Sequence, residues 1–231
     1  MKLNDPTLLR TESYINGAWV TAPGNKRFAV TNPATNDVIA EVADLGSAET
    51  AAAIDAAVPA QKAWAARTAK DRAMVMRKWY GLIMANAEDL AVILTTEMGK
   101  PITEARGEIA YGASFIDWFA EEARRVCGDV MESPIPDKRF LTFKQPVGVF
   151  GAITPWNFPI AMISSYHLRI TMARSLAVRA AQAFCAGTAA SMAAVVSAVP
   201  RSATSATVSP LAGLVTAKRL PPGAAVHVPL T

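Results

Sequence analysis

The segment Thr154-Pro155-Trp156-Asn157-Phe158-Pro159 sets one side-chain amide between two aromatics and two prolines. Each proline fixes a backbone dihedral and biases the residue before it to extended chain, so the loop is pre-ordered. Trp156 and Phe158 are then placed to wall off water. An asparagine amide is a neutral hydrogen-bond donor. Asn and Pro are also the usual turn formers, so taken alone the hexapeptide supports an ordinary turn as well as a polar site. Other chemistry-bearing types are sparse. Cys127 and Cys185 form no disulfide framework and no zinc spacing. Cys185, in Ala183-Phe184-Cys185-Ala186-Gly187, has no base candidate nearby and reads as an incidental small hydrophobe, as does Cys127 at a helix end. His167 and His227 have no partners at metal or triad spacing, so no metal site is expected. No G-x-G-x-x-G or P-loop pattern occurs.

The elements that must position Asn157 follow from periodicity and turn chemistry. Tyr14-Ile15-Asn16-Gly17-Ala18-Trp19 reads as two strand arms around an Asn-Gly hairpin turn. Asn32-Pro33-Ala34-Thr35 is a second turn, before the strand-like Val38-Ile39-Ala40-Glu41-Val42. Ser47 can cap a helix running to Val58 with Glu49 in its first turn, and Pro59 can begin the next helix. Over Thr68 to Met84, Met74, Met76, Trp79, Tyr80 and Ile83 fall largely on one side of a helix. Asn86 with Asp89 resembles a cap and first-turn acid, and that helix should stop at Gly99-Lys100-Pro101. Glu97 and Lys100 read as a solvated helix end with no chemistry. Residues 102–126 form the last long helix, Phe140 to Lys144 a half-exposed strand, and 147–153 a strand buried on both faces.

Charge divides the chain. Residues 1–163 carry all 19 acidic and 17 of the basic residues; residues 164–231 carry six basic residues and no acid. At about a quarter charged residues, a stretch of that length without Asp or Glu arises by chance on the order of once in several thousand draws. Ala, Ser, Thr and Val make up 39 of those 68 residues. The basic charges are scattered without stacking aromatics, so no nucleic-acid partner is expected. Residues 180–200 lack charge over 21 positions, about the span of a bilayer, but are mostly Ala, Ser and Thr. The drive to insert is weak, and no membrane partner is expected. The start, MKLNDPTLLRTES, has no apolar signal segment, so a cytoplasmic setting is the default.

Taken together, Ile15-Asn16-Gly17-Ala18-Trp19, Asn32-Pro33-Ala34-Thr35, Glu97-Met98-Gly99-Lys100-Pro101 and Pro146-Val147-Gly148-Val149 leading to Ile153-Thr154-Pro155-Trp156-Asn157-Phe158-Pro159 resemble the amino-terminal part of an NAD(P)-dependent aldehyde dehydrogenase. The match is collinear over residues 1–163, and its wording is closest to the succinate-semialdehyde dehydrogenase branch. The resemblance implies an α/β fold: a β-hairpin arm, a helical layer and the first strand of a doubly wound parallel sheet, incomplete here. It implies oxidation of a small aldehyde, succinate semialdehyde to succinate, with NAD or NADP, a place in 4-aminobutyrate degradation, and a homo-oligomeric enzyme. In that chemistry a cysteine thiolate adds to the aldehyde, hydride leaves to the nicotinamide, and a glutamate-activated water releases the acid. The thiohemiacetal oxyanion needs a neutral donor in a dry pocket. The resemblance makes Asn157 that donor, and lays the main chain of Ile153, Thr154, Pro155, Trp156 and Asn157 along the cofactor near its nicotinamide end.

After Ile163 the family wording fails. The Lys that would bind the cofactor ribose, the glycine-rich turn, the Glu base and the Cys nucleophile after Asn-x-Gly-Gln-x are missing from these 231 residues. The loss of acid, with Ala, Ser, Thr, Val, Arg and Pro rising together, is what a GC-rich gene yields when translated out of frame from about codon 164. Residues 1–163 thus read as a partial cofactor-binding domain. Residues 164–231 read as a divergent tail that does not fold natively and leaves strand 147–153 without neighbours. The other reading is a non-catalytic fragment that associates with subunits of such an enzyme.

Overall fold

The computed structural model describes residues 1–146, 148–154, 156–172, 176–182 and 214–217, with side chains placed through Ser165 apart from those of 150–155. The Asn-Gly hairpin forms as expected: β1 (Ser13–Ile15) pairs antiparallel with β2 (Ala18–Val20), Ile15 opposite Ala18. Its turn needs left-handed backbone at both central residues, and Asn16 (φ 50°) and Gly17 (φ 82°) supply it. β3 (Arg27–Thr31) and β4 (Val38–Ala43) form a second antiparallel pair around the Asn32–Thr35 turn. There Ala34 N–H donates to Asn32 Oδ1 at 2.9 Å.

Four helices follow. α1 (Ser47–Ala65) is one helix, not two. Pro59 lies inside it rather than starting a second: the lost hydrogen bond and ring clash, about 3 kcal/mol, are offset by the buried face of Ala53, Ala57, Ala60 and Trp64. Its cap is Gly46, not Ser47: Glu49 Oε2 reaches back to accept the Gly46 N–H at 2.7 Å. α2 (Ala69–Ala85) is capped by Thr68, whose hydroxyl accepts from Asp71 N–H at 3.1 Å. Met76, Trp79 and Ile83 of the expected stripe are buried, while Met74 is exposed and Arg72 is buried instead.

Asn86 caps α3 (Ala87–Met98) and Asp89 lies in its first turn, as expected, but the Asn86 side chain makes no capping bond to that helix. Asn86 Nδ2 donates backward to Leu82 O at 2.8 Å, closing α2. Asp89 instead accepts from Asn4 N–H, Asn4 Nδ2 and Asp5 N–H at 2.9, 3.0 and 2.8 Å, tying down the amino-terminal segment. α3 ends at Gly99 in the left-handed conformation (φ 80°), as its sequence predicts. A Cβ on Gly99 would lie 2.8 Å from Pro33 Cγ, so the Asn32–Thr35 turn packs on this stop. α4 (Ile102–Glu122) is shorter than residues 102–126. Arg106 of α4 clamps Glu88 of α3 with two hydrogen bonds of 2.8 and 2.6 Å. That guanidinium holds the Glu88 carboxyl below its usual range, and the carboxylate raises Arg106 in turn. The main core lies among α2, α3 and α4, with Trp79, Ile83, Leu90, Ile93, Leu94, Ile109 and Ile116 at its centre.

β5 (Val130–Glu132) and β6 (Arg139–Leu141) make an arm whose six strand residues are all exposed. β7 (Val149–Thr154) is then followed by α5 (Pro159–Met172), so α4 is not the last long helix. β7 does not lack neighbours either. β8 (Leu176–Gln182) pairs parallel to it over six residues, from Val149 opposite Leu176 to Thr154 opposite Ala181, and β9 (Leu214–Ala217) pairs parallel to β8. An apolar run such as Leu176-Ala177-Val178 after a helix can complete a β-α-β crossover whatever its ancestry. The rest of the tail, with Cys185, His227 and residues 183–200, lies outside the described residues. Among the described residues, no helix is long and apolar enough to cross a membrane.

Candidate active site

Asn157 sits in the short connection between the carboxyl end of β7 and the first turn of α5. In open parallel sheets, ligands enter at the carboxyl ends of strands. Strand β7 carries Ile153 and Thr154 at that end, and Pro155 lies outside the described residues. Trp156, Asn157 and Phe158 are all exposed there, at 48% for Trp156 and 46% for Phe158. The expected water-excluding wall is therefore not closed among the described residues. What the arrangement offers is a neutral amide donor flanked by accessible ring surface.

The backbone makes a turn that the prolines alone do not predict. Pro159 should push Phe158 to extended chain, yet Phe158 has φ 54°, on the left-handed side that bulky residues avoid. A buried ion pair lies beneath it. Lys100 Nζ is 3.8 Å from the centroid of the Phe158 ring. Lys100 is paired with Glu108 of α4 at 2.5 Å, their side chains 5% and 1% exposed. Glu108 uses its other oxygen, Oε1, to accept the Ile160 N–H at 3.0 Å, which caps the start of α5. Lys100 is thus no part of a solvated helix end, and Glu97 is buried too. Gly99 and Pro101 turn the chain after α3 so that Lys100 points into the protein. The sequence did carry a signal for Glu108: it stands in the stripe Ala105, Glu108, Ile109, Gly112, Ala113, Ile116, all other members apolar or glycine and all buried.

The first turns of α5 lie against α4. Ile160, Ala161 and Ile163 are buried, and a Cβ on Gly112 would lie 2.5 Å from Ile160 Cγ2 and 3.2 Å from its carbonyl carbon. Ser164, buried in the same face, donates from Oγ to Ile160 O at 2.8 Å, which satisfies its buried hydroxyl. Because Glu108 already fills the amino end of α5 with a carboxylate, that end is closed to phosphate. Cys127 is exposed beside the arm, and no group of His, Cys, Asp and Glu with metal-binding geometry occurs among the described residues.

Comparison with known proteins identifies the family. The model of the aldehyde dehydrogenase family matches residues 19–226. Glutarate-semialdehyde dehydrogenase of Pseudomonas putida is 54% identical over 164 residues, 71% of this chain and 34% of that protein. Succinate-semialdehyde dehydrogenase (NADP(+)) of Escherichia coli is 52% identical over the same length and shares. The chain thus spans about a third of the length of the curated relatives it matches. Among solved structures, succinate-semialdehyde dehydrogenase from Burkholderia pseudomallei superimposes with a TM-score of 0.81 at 45% identity, covering 88% of this chain and 42% of that one. An NADP-dependent enzyme of E. coli gives 0.82 at 45% identity, covering 86% and 42%. These likenesses agree with the α/β layout, and the chain belongs to the aldehyde dehydrogenase family.

Proposed function

We propose that residues 1–163 are the oxyanion-stabilising, nicotinamide-side part of a cytoplasmic enzyme that oxidises succinate semialdehyde to succinate with NAD or NADP. The observation that carries this reading is the exposed Asn157 amide at the carboxyl end of β7. The amide would donate to the aldehyde oxygen as it becomes an oxyanion. The main chain of Ile153, Thr154, Pro155, Trp156 and Asn157 would lie along the nicotinamide end of the cofactor, whose chemistry is to accept hydride. The accessible rings of Trp156 and Phe158 and the carboxylate-filled end of α5 favour a ring, not a pyrophosphate, at this place. Relatives named for succinate and glutarate semialdehydes support a short aldehyde with a terminal carboxylate.

The nucleophile, base and ribose-binding Lys are absent from these 231 residues. We therefore expect the purified chain to reduce NAD or NADP with succinate semialdehyde at the background rate; turnover would overturn that expectation. The acid-free tail after Ile163 is read as a shifted frame. Translating the coding DNA in the other two frames should restore Lys-Pro, the glycine-rich turn and the cysteine motif, and their absence from both frames would refute it.

A second reading, association with other subunits of such an enzyme, is favoured by the β5–β6 arm. Val130, Leu141 and Phe143 are 66%, 59% and 78% exposed on it. A lone two-stranded hairpin with apolar faces and open edges is marginal in water until something covers it. Co-purification with a full-length succinate-semialdehyde dehydrogenase, abolished by Leu141→Ser with Phe143→Ser, is the expected result. Retention of the complex by that double variant would remove the arm from the interface.

A further inference from the structure

We propose that Lys100 and Glu108 are positioning residues that set the Asn157 amide through Phe158 and the start of α5. The proposal rests on the reading of Asn157 as the oxyanion donor. A buried ion pair is weak evidence for stability, because two apolar residues of similar volume often serve as well or better. This pair has a specific geometry that an apolar pair would lack. Its two members hold the loop on either side of the Phe158–Pro159 bond: the Lys100 ammonium lies 3.8 Å from the Phe158 ring centroid, and Glu108 Oε1 accepts the Ile160 N–H at 3.0 Å. Between these anchors stands the backbone outlier, Phe158 at φ 54°.

A bulky residue with left-handed φ persists only where its surroundings over-determine it, and such outliers gather at functional sites. An ammonium removed from water over an aromatic face is worth about as much as such an outlier costs. The turn at Phe158 lets Ile160, Ala161 and Ile163 bury against α4 while Asn157, one residue earlier, stays at the exposed tip. Gly112 leaves the room that the Ile160 side chain occupies. Relaxing Phe158 to extended chain would therefore re-aim the amide one residue earlier.

The test uses the full 231-residue chain, isotopically labelled, with the Asn157 side-chain amide signals and the exchange rate of the Ile160 amide as readouts and a urea midpoint as the control for folding. Lys100→Arg keeps a cation under the ring. Phe158→Leu removes the ring but leaves the ion pair intact. Lys100→Met with Glu108→Leu removes both charges together, so none is left buried and unpaired. The expected result is wild-type Asn157 signals in Lys100→Arg and displaced signals in the other two, with urea midpoints close to wild type in Lys100→Arg and Phe158→Leu and a lowered midpoint in the double variant, which leaves the buried Ile160 N–H without its acceptor. The Ile160 amide should exchange about tenfold faster in the double variant, the effect of losing one hydrogen bond. Wild-type Asn157 signals in both Phe158→Leu and the double variant would overturn the proposal and leave an ordinary core ion pair. None of these readouts needs turnover. A donor role for Asn157 that failed in kinetics would leave the loop result standing, and the reverse also holds.

Discussion

Two glycines five residues apart on α4 should respond differently to the same substitution. At Gly107, exposed, a new Cβ meets nothing within 4 Å. Alanine there gains the helix preference over glycine, about 1 kcal/mol. At Gly112, buried against α5, the same Cβ would meet Ile160 Cγ2 at 2.5 Å, the Ile160 carbonyl carbon at 3.2 Å and the Ala161 nitrogen at 3.3 Å. Ile160 cannot yield easily: its branched side chain is stiff about χ1, and it is fully buried. Two of the three contacts are backbone, so α5 itself must move. Overpacking of this kind costs about 1–3 kcal/mol. Set against the helix gain of about 1 kcal/mol, Gly112→Ala should be neutral to destabilising by roughly 2 kcal/mol, and the two variants should differ by about 1–3 kcal/mol. Urea unfolding of the three proteins reads this directly, provided the slope m is unchanged. A Gly112→Ala protein as stable as Gly107→Ala would refute the close approach of α4 and α5, and with it the placement of the Asn157 loop.

Trp64→Ala should cost about 3–5 kcal/mol in the same urea assay, since the ring is fully buried in α1. Asp89→Ala leaves the donors on Asn4 and Asp5 without their acceptor and should cost about 1–3 kcal/mol. Limited proteolysis should then release residues 1–9 sooner than in wild type. Glu88 has its pKa lowered, first by the hydrogen bonds from Arg106. A carboxyl with a lower pKa folded than unfolded contributes stability that is complete above the unfolded value, about 4.3 for glutamate, and is lost as pH falls through the folded one. Glu88→Gln should accordingly lower the urea midpoint at pH 7 and leave it unchanged at a pH below both values.

Where local chemistry decides structure, the sequence was readable. Asn16-Gly17 dictates its hairpin turn, Gly99 stops α3, and the spacing of Met76, Trp79 and Ile83 marks the buried side of α2. Pro59 misled because the local cost of an interior proline, a lost hydrogen bond and a ring clash, is offset by a buried face of alanines and Trp64 along the whole of α1. At the site, Asn157 and its flanking aromatics were visible as types, but not what aims them. Lys100 and Glu108 are eight residues apart with Gly99 and Pro101 bending the chain beside them, so no helical spacing rule joins them. Their contact with Phe158 and Ile160 crosses about fifty residues of sequence and exists only after α5 has docked on α4.

The role of Asn157 is tested most directly by kinetics in a chimera. Residues 1–163 of this chain would replace the matching segment of the E. coli succinate-semialdehyde dehydrogenase, to which the chain is 52% identical over 164 residues. The chimera should oxidise succinate semialdehyde, and Asn157→Ala within it should lower kcat by about 10²–10³ with KM little changed, the loss of one oxyanion donor. A folded chimera without activity, or an Asn157→Ala chimera with undiminished kcat, would contradict the assignment.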